Sequence, residues 1–236
     1  QYRVMQSARY ISTRGGSPET DFAQALLRGM APDGGLYMPR EWPALPAGGT
    51  DYAEIARAVM TPFIGDVLPV GALDRAVDRL VAGFDHPDVT PLVELEPGLH
   101  LLELFHGPTA AFKDLAMQLV ASLADEALKA SGQTLTLVVA TSGDTGAAAV
   151  RAFAGAERIR LAVLHPLDRV SPVQRRQMTT CQADNVLNLA IRGDFDDCQR
   201  LVKQLLADEG LRARGRLSSV NSINWARLAG QIPYYV

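Results

Sequence analysis

From about residue 99 onward, short apolar runs alternate with longer stretches of helical character, and this alternation limits the folds open to the chain. The runs have the length and apolar content of buried strands, whereas the stretches between them are long enough for helices. Strands that alternate with helices are typical of a parallel sheet with flanking helices, the α/β class. We predict strands at 99–105, 135–140, 159–164, 186–191 and 217–220, and helices near 113–130, 144–155, 172–180 and 195–208.

The first 90 residues have a different pattern, in which helical stretches dominate. Ser17 followed by Pro18 is typical of a helix start, because Ser caps the helix and Pro fits its first position. The predicted elements are a strand at 10–13, a helix from Ser17 that ends before a turn at 32–35, a loop at 40–50, and helices near 51–63 and 71–83. We therefore predict a mainly helical N-terminal region, 1–90, and an α/β region, 91–236.

Both ends of the sequence bear on how much of the molecule it contains. Met5 is a candidate natural start, which would make residues 1–4 a leader or a remnant of cloning. Residues 232–236 are apolar and read as a core segment cut in the middle. We therefore expect the molecule to continue beyond Val236, so that the α/β region is truncated at this end.

The composition is that of a globular protein with a sizeable core, since 47% of the residues are hydrophobic, 21% are charged and the net charge is −3. No stretch approaches the roughly 20 apolar residues of a membrane span and no signal peptide is recognisable, so we expect a cytoplasmic protein. The slightly acidic balance contains no basic stripe, which argues against nucleic acid as a partner. Cys181 and Cys198 lack metal or redox spacing and are interpreted as small buried hydrophobes, without a metal site.

Lysine is rare in this sequence, which contains only Lys113, Lys129 and Lys203 and therefore 20 arginines among its 23 basic residues. Arginine keeps its proton in proteins, whereas lysine can become a neutral, nucleophilic amine. Lys113 follows the turn His106-Gly-Pro-Thr and is expected in the first turn of a helix. The helix dipole there disfavours a cation and favours the neutral amine, which attacks aldehydes. A solvated surface lysine is the alternative, and His106 is either a proton carrier or a side chain satisfied by a backbone bond.

A second loop, Thr141-Ser-Gly-Asp-Thr145, joins a predicted buried strand to an alanine-rich helix, with Asp144 as the expected cap. Backbone N–H groups and hydroxyls at such a turn can hold an anion, and ligands of α/β folds bind at this end of the sheet. The spacing is not that of a Walker loop. An ordinary glycine-rich turn explains the same residues equally well. Polar groups also converge at two later helix starts, 193–199 and 221–227, where capping is the alternative to ligand binding.

Seven segments resemble, in order and over nearly the whole chain, the threonine synthase family of the longer microbial and fungal kind. They are YISTRG from Tyr10, DGGLYMP from Asp33, HGPTAAFKD from His106, ATSGDTG from Ala140, SPVQRRQMTT from Ser171, FDDCQ from Phe195 and NSINWAR from Asn221. Related lyases usually carry Ser-Gly-Asn-Thr-Gly in the second loop, so that Asp144 is the threonine synthase variant. The region before residue 90 also favours this family over the shorter dehydratases.

The resemblance implies a fold-type II enzyme that depends on pyridoxal 5'-phosphate, with an architecture like that of the tryptophan synthase β subunit. The implied reaction converts O-phospho-L-homoserine and water to L-threonine and phosphate, in a monomer or a homodimer. Lys113 would be the catalytic Schiff-base lysine, which holds the cofactor and later moves protons at the α and β carbons of the substrate.

The same resemblance implies the other site residues. Those around the phenolic oxygen of the cofactor and the carboxylate of the substrate would be Ser142, Gly143, Asp144 and Thr145, with Thr141 among the substrate contacts. Further substrate candidates are Asn221, Ser222, Asn224 and Arg227, and candidates for a phosphate are Arg14, Arg175 and Arg176. The glycine-rich loop that holds the cofactor phosphate in this family, and the Ser or Thr at the pyridine nitrogen, have no counterpart before Val236.

Two alternatives to this function stay open at the level of sequence. One is another fold-type II lyase, such as a threonine dehydratase, which would make ketobutyrate from threonine. The other is a non-catalytic module that binds a phosphorylated metabolite or serves as a structural fragment. Lys113 argues against loss of chemistry in the parent protein.

Overall fold

A computed structural model describes residues 8–44, 46 and 48–236, so that Met5 and the residues before it lie outside the described part. The strands are β1 (Tyr10–Ser12), β2 (Tyr37–Pro39), β3 (Leu92–Glu96), β4 (Leu99–Leu102), β5 (Leu135–Ala140), β6 (Ile159–Pro166), β7 (Val186–Ile191) and β8 (Leu217–Ser218). The α-helices are α1 (Phe22–Arg28), α2 (Tyr52–Ile64), α3 (Ala72–Ala82), α4 (Lys113–Ser131), α5 (Asp144–Phe153), α6 (Pro172–Thr179), α7 (Phe195–Ala207), α8 (Glu209–Gly215) and α9 (Trp225–Ala229). A 3-10 helix follows at Ile232–Tyr235.

The central sheet is parallel, as predicted, and its strands lie in the order β7-β6-β5-β8. Successive side chains of a strand point to opposite faces, and both faces of β5 are apolar. Leu137 and Val139 belong to the large core that α4 and α5 share, whereas Val138 and Ala140 pack with Val202 of α7. The sheet is therefore covered by helices on both faces, which explains why every residue of β5 except Thr136 is apolar.

The connections of this sheet reverse direction next to β5. From β5 the chain moves outward through β6 to β7, and it then returns to the other side of β5 as β8. In open parallel sheets, the crevice for a ligand forms at the carboxyl ends of the two strands on either side of such a reversal. The loops that follow β5 and β8 thus border the expected binding crevice.

The N-terminal region packs against the α/β region through aromatic side chains. Tyr10 of β1 donates its hydroxyl to the carbonyl of Phe63 in α2 at 2.6 Å, and its ring lies 6.3 Å from that of Trp225 in α9. Phe63 also contacts Trp225, with ring centroids 5.6 Å apart. Both regions therefore contribute to one continuous core. No helix among the described residues is long and apolar enough to cross a membrane.

One predicted boundary of the N-terminal region and the first predicted strand of the sheet are wrong. The first helix begins at Phe22 because Asp21, and not Ser17, caps it by accepting the N–H of Gln24. The hydroxyl of Ser17 instead accepts the N–H of Asp33. The strand predicted at 99–105 ends at Leu102 and pairs antiparallel with β3, so that it lies outside the parallel sheet.

Candidate active site

The loop before Lys113 is folded over a buried carboxylate. Asp114 is fully buried and accepts two hydrogen bonds from Thr109, 2.8 Å from the backbone N–H and 2.7 Å from the hydroxyl. Burial raises the pKa of Asp114, although the hydrogen bonds from Thr109 oppose that change. Gly107 packs so closely on Asp114 and Phe84 that a Cβ would overlap both. The chain therefore enters α4 at one fixed position, and Lys113 is the first residue of that helix, as predicted.

We predict that Asp114→Ala lowers the free energy of unfolding by about 2–3 kcal/mol, because two donors of Thr109 lose their acceptor inside the protein. Thr109→Val removes only the hydroxyl donor and should cost about 1 kcal/mol. Urea unfolding of the two variants measures both values. Equal losses in the two variants would mean that the bond from the backbone N–H of Thr109 to Asp114 does not stabilise the loop.

The amine of Lys113 lies at the mouth of the crevice and contacts the loop that follows β5. Its Nζ is 3.0 Å from Oδ2 of Asp144 and 4.3 Å from the centroid of the Phe112 ring. The side chain of Lys113 is 19% exposed, whereas that of Asp144 is 44% exposed. The two predicted loops thus meet through one ion pair, between a half-buried amine and a carboxylate that solvent and ligands can reach.

Asp144 does not cap α5, contrary to the prediction, because it is the first residue of the helix and its carboxylate points to Lys113. The loop is organised instead by Thr141, which is buried and whose Oγ1 accepts the N–H groups of Gly143 at 2.9 Å and Gly146 at 2.8 Å. Burial on its own raises the pKa of Asp144, but the hydrogen bonds from Lys113 and Gln174 outweigh burial and lower it. Asp144 is therefore an anion at neutral pH.

Helix α6 joins the two loops through glutamines that the sequence analysis did not select as site residues. Gln174 donates to Oδ1 of Asp144, and Gln177 donates to the carbonyl of Thr109 at 3.2 Å. Residues three apart lie on the same side of a helix. The sequence signal was present in SPVQRRQ, where a Ser-Pro helix start precedes two glutamines at that spacing. Only the fold shows that this side of α6 faces the loops.

The loop after β8 completes the crevice, as the strand order requires. Asn221 donates its amide to the carbonyl of Ala140, the last residue of β5, at 3.0 Å, and it accepts from the hydroxyl of Ser219 at 2.9 Å. Ser222 is exposed beside it. Asn221 thus ties the ends of β5 and β8 together.

The side chains of Asn224 and Arg227, expected on the substrate side, are turned into the protein interior. Asn224 is fully buried, where it caps α9 and donates to the carbonyls of Leu26 and Ser219. Arg227 is 5% exposed and donates to the carbonyl of Val220, and desolvation lowers its pKa to about 10. Their hydrogen bonds to backbone groups tie α9 to Leu26 and to the segment 219–220.

The remaining candidates lie around this centre. His106 pairs with the carboxylate of Glu103 at 2.7 Å, so that a side-chain carboxylate, and not the backbone bond considered as its alternative, is its partner. Arg175 and Arg176 are exposed on α6, and Arg14 is exposed and donates to the carbonyl of Asp33. Within the described residues, no cluster of His, Cys, Asp and Glu is arranged to hold a metal ion.

Comparison with known families agrees with this arrangement. Residues 84–235 match the family described as pyridoxal-phosphate dependent enzyme. The chain belongs to this family. Residues 9–80 match a second family, described as the threonine synthase N terminus. The pyridoxal-phosphate family thus covers the whole crevice, including Lys113 and both loops.

Individual relatives are similar over nearly the whole chain. It is 45% identical over 233 residues to the threonine synthase of Pseudomonas aeruginosa, a match that covers 96% of this chain and 50% of that protein. A crystal structure of threonine synthase from Brucella melitensis with bound pyridoxal phosphate gives a TM-score of 0.89 at 48% identity, over 97% of this chain and 51% of that one. The crystal structure of the yeast threonine synthase gives a TM-score of 0.84 at 38% identity, over 97% of this chain and 49% of that one. The chain thus spans about half the length of these relatives.

The groups at the crevice suit the cofactor of this family. A primary amine that a ligand can still reach can bond an aldehyde carbon, and Lys113, with its side chain 19% exposed, supplies one. Of the first four N–H groups of α5, those of Gly146 and Ala147 donate to Thr141 and Gly143, so that those of Asp144 and Thr145 are the ones from which an anionic oxygen can accept. Lys129 and Lys203, by contrast, lie on the outer sides of α4 and α7, with Lys129 paired to Asp125 at 2.7 Å.

Proposed function

We propose that the protein is a threonine synthase, which converts O-phospho-L-homoserine and water to L-threonine and phosphate with pyridoxal 5'-phosphate bound at Lys113. The observation that carries the proposal is the 3.0 Å contact between Nζ of Lys113 and Asp144 at the carboxyl edge of the sheet. The similarity to the threonine synthase N terminus over residues 9–80 supports this choice among the chemistries of the family.

Lys113 has two tasks in this proposal. Its Nζ bonds the cofactor, which when bound supplies an aldehyde carbon and an electron-withdrawing ring that stabilises negative charge on the substrate carbons. The amine of Lys113 would also take a proton from one substrate carbon and return it to another. Asp144, an anion 3.0 Å away, keeps this amine at the mouth of the crevice between the two tasks.

The loop after β5 is proposed to bind the carboxylate of the substrate. Ser142 is exposed and Thr145 is partly exposed, so that their hydroxyls and the N–H groups at the start of α5 are within reach of a ligand. Asn221 and Ser222 would border the other side of the crevice. Thr141 would act from behind the loop, by holding Gly143 and Gly146. The candidates to bind the phosphate that leaves the substrate are the exposed arginines Arg14, Arg175 and Arg176.

The remaining parts of the proposal concern organisation and surroundings. Residues 1–90 would form the threonine-synthase-type N-terminal region, and residues 91–236 the part of the α/β region that supplies the reactive amine. We place the enzyme in the cytoplasm, as a monomer or a homodimer.

The proposal is tested by incubating the intact protein, loaded with pyridoxal phosphate, with O-phospho-L-homoserine and separately with L-threonine. Threonine and inorganic phosphate should appear from phosphohomoserine in equal amounts. Ketobutyrate formed from threonine, without turnover of phosphohomoserine, would identify a dehydratase instead. Binding of phosphohomoserine without any product would identify a non-catalytic module.

A further inference from the structure

The side chain of Gln174 is fixed at both ends. Its Oε1 accepts the hydroxyl proton of Ser171, the N-cap of α6, at 2.8 Å, and its Nε2 donates to Oδ1 of Asp144. The other oxygen of Asp144, Oδ2, accepts from Lys113. A continuous chain of hydrogen bonds therefore runs from Ser171 through Gln174 and Asp144 to the reactive amine.

The direction of each bond in this chain is determined by chemistry. An ionised carboxylate can only accept, so the end of the Gln174 amide that faces Asp144 must be the NH2 group. The hydroxyl of Ser171 already accepts the backbone N–H of Gln174 at 3.3 Å, which leaves its single proton for Oε1. Every donor meets an acceptor only while residue 144 accepts at both oxygens, as aspartate does and asparagine cannot.

Packing holds Gln174 in this place. Its amide lies against Gly143, where an added Cβ would overlap the amide carbon, oxygen and nitrogen of Gln174. Gly143 has φ of 146°, a conformation that only glycine adopts readily. The loop and the glutamine are therefore fitted to each other, and Gln174 has little freedom to leave Asp144.

We propose that Gln174 is a positioning residue for Lys113, which acts through Asp144, and that residues 174 and 144 form a matched donor–acceptor pair. The inference rests on the proposed function in that Lys113 is taken as the lysine that binds the cofactor. By holding one carboxylate oxygen, Gln174 directs the other to the amine. This gives helix α6 a role in the site and explains why the loop carries Asp144.

The pair can be exchanged. Asp144→Asn should disturb the chain, since the new amide group must face either the ammonium of Lys113 or the NH2 of Gln174 with a donor. Gln174→Glu should disturb it in another way, because two carboxylates then face each other. In the double variant, the new carboxylate at 174 accepts from both Ser171 and the new amide at 144, whose oxygen accepts from Lys113. All pairings are restored and the net charge is that of the wild type.

The experiment measures cofactor binding and cofactor-free stability in the intact protein. Absorbance titration with pyridoxal phosphate should give dissociation constants raised about tenfold in each single variant, the effect of one mismatched hydrogen bond to a charged group. In Asp144→Asn with Gln174→Glu, the constant should return to within about threefold of the wild type. The control is Asp144→Asn with Gln182→Glu, which has the same net charge at an exposed position. This control should bind as weakly as Asp144→Asn alone.

Thermal unfolding of the cofactor-free protein provides a second measure, independent of turnover. Gln174→Glu should lower the unfolding midpoint more at pH 8 than at pH 5, because one of the two facing carboxylates can take a proton at the lower pH. The double variant should lose this pH dependence. Losses that simply add in the double variant, or equal rescue by Gln182→Glu, would overturn the proposal. Failure of the wild type to make threonine would refute the proposed function alone, since neither measurement requires turnover.

Discussion

Lys113→Ala is expected to abolish turnover of phosphohomoserine. The variant lacks both the amine that bonds the cofactor and the group that moves protons on the substrate. Proton transfer by a positioned side chain alone contributes about 10²–10⁴-fold to a rate, so the loss of both tasks should exceed about 10⁴-fold. Steady-state assays of the cofactor-loaded variant measure this loss.

Covalent labelling shows whether the loss has the expected cause. Borohydride reduction of the wild type with bound pyridoxal phosphate, followed by peptide mapping, should find the label on Lys113. Lys129→Ala is the matched control, because Lys129 lies on the same helix but is 48% exposed and paired with Asp125. This variant should keep its label and its turnover. A label on Lys129 or Lys203 in the wild type would contradict the assignment of Lys113.

Lys113→Ala should also change how the stability of the protein depends on pH. In the wild type the pKa of Asp144 is lowered, so its contribution to stability is present above the unfolded pKa of about 3.9 and is lost as the pH falls toward the folded value. Without Lys113, one of the hydrogen bonds that lower this pKa is missing. The stability difference between wild type and Lys113→Ala should therefore shrink below about pH 4.

Gly143→Ala is expected to have the second largest effect, with a loss of about 2–6 kcal/mol in unfolding free energy. The backbone of Gly143, with φ of 146°, would be strained by a side chain at a cost of about 1–3 kcal/mol. The new Cβ would also overlap the amide of Gln174, and forced packing costs about as much again. Since Gln174 would be displaced from Asp144, affinity for pyridoxal phosphate should fall by about tenfold or more.

Gly155→Ala is the matched control for this variant, because it isolates backbone strain from the overlap. Gly155 follows the other end of α5 with φ of 77°, and a Cβ there would meet no atom within 4 Å. The expected cost is about 1–2 kcal/mol, with unchanged cofactor affinity. Urea unfolding and absorbance titration of both variants make the comparison. Equal loss of affinity in the two would show that the contact with Gln174 is unimportant.

The elements that the sequence predicted well are those whose pattern is local. The strands at 135–140 and 186–191 and the start of α4 at Lys113 agree with the structure, since apolar runs and turn residues specify them directly. The antiparallel hairpin of β3 and β4 was missed because its residues are largely exposed and show no buried alternation. The cap at Asp21 could not be predicted in the same way, because the hydroxyl of Ser17 accepts the backbone N–H of Asp33, 16 residues further along the chain.

The residues of the candidate site also differ in whether a local sequence pattern or the packing of the fold determines them. The sequence by itself made Lys113 and the loop around Asp144 candidates, because a scarce amine at a helix start and a small-residue turn after a buried strand are local features. Tertiary structure alone decided which polar side chains reach the crevice. Asn224 and Arg227 are buried, whereas Gln174 and Gln177 face the loops, because these orientations depend on how α9 and α6 pack. Lys113 meets Asp144 for the same reason, because α4 packs beside α5 and brings the starts of the two helices together.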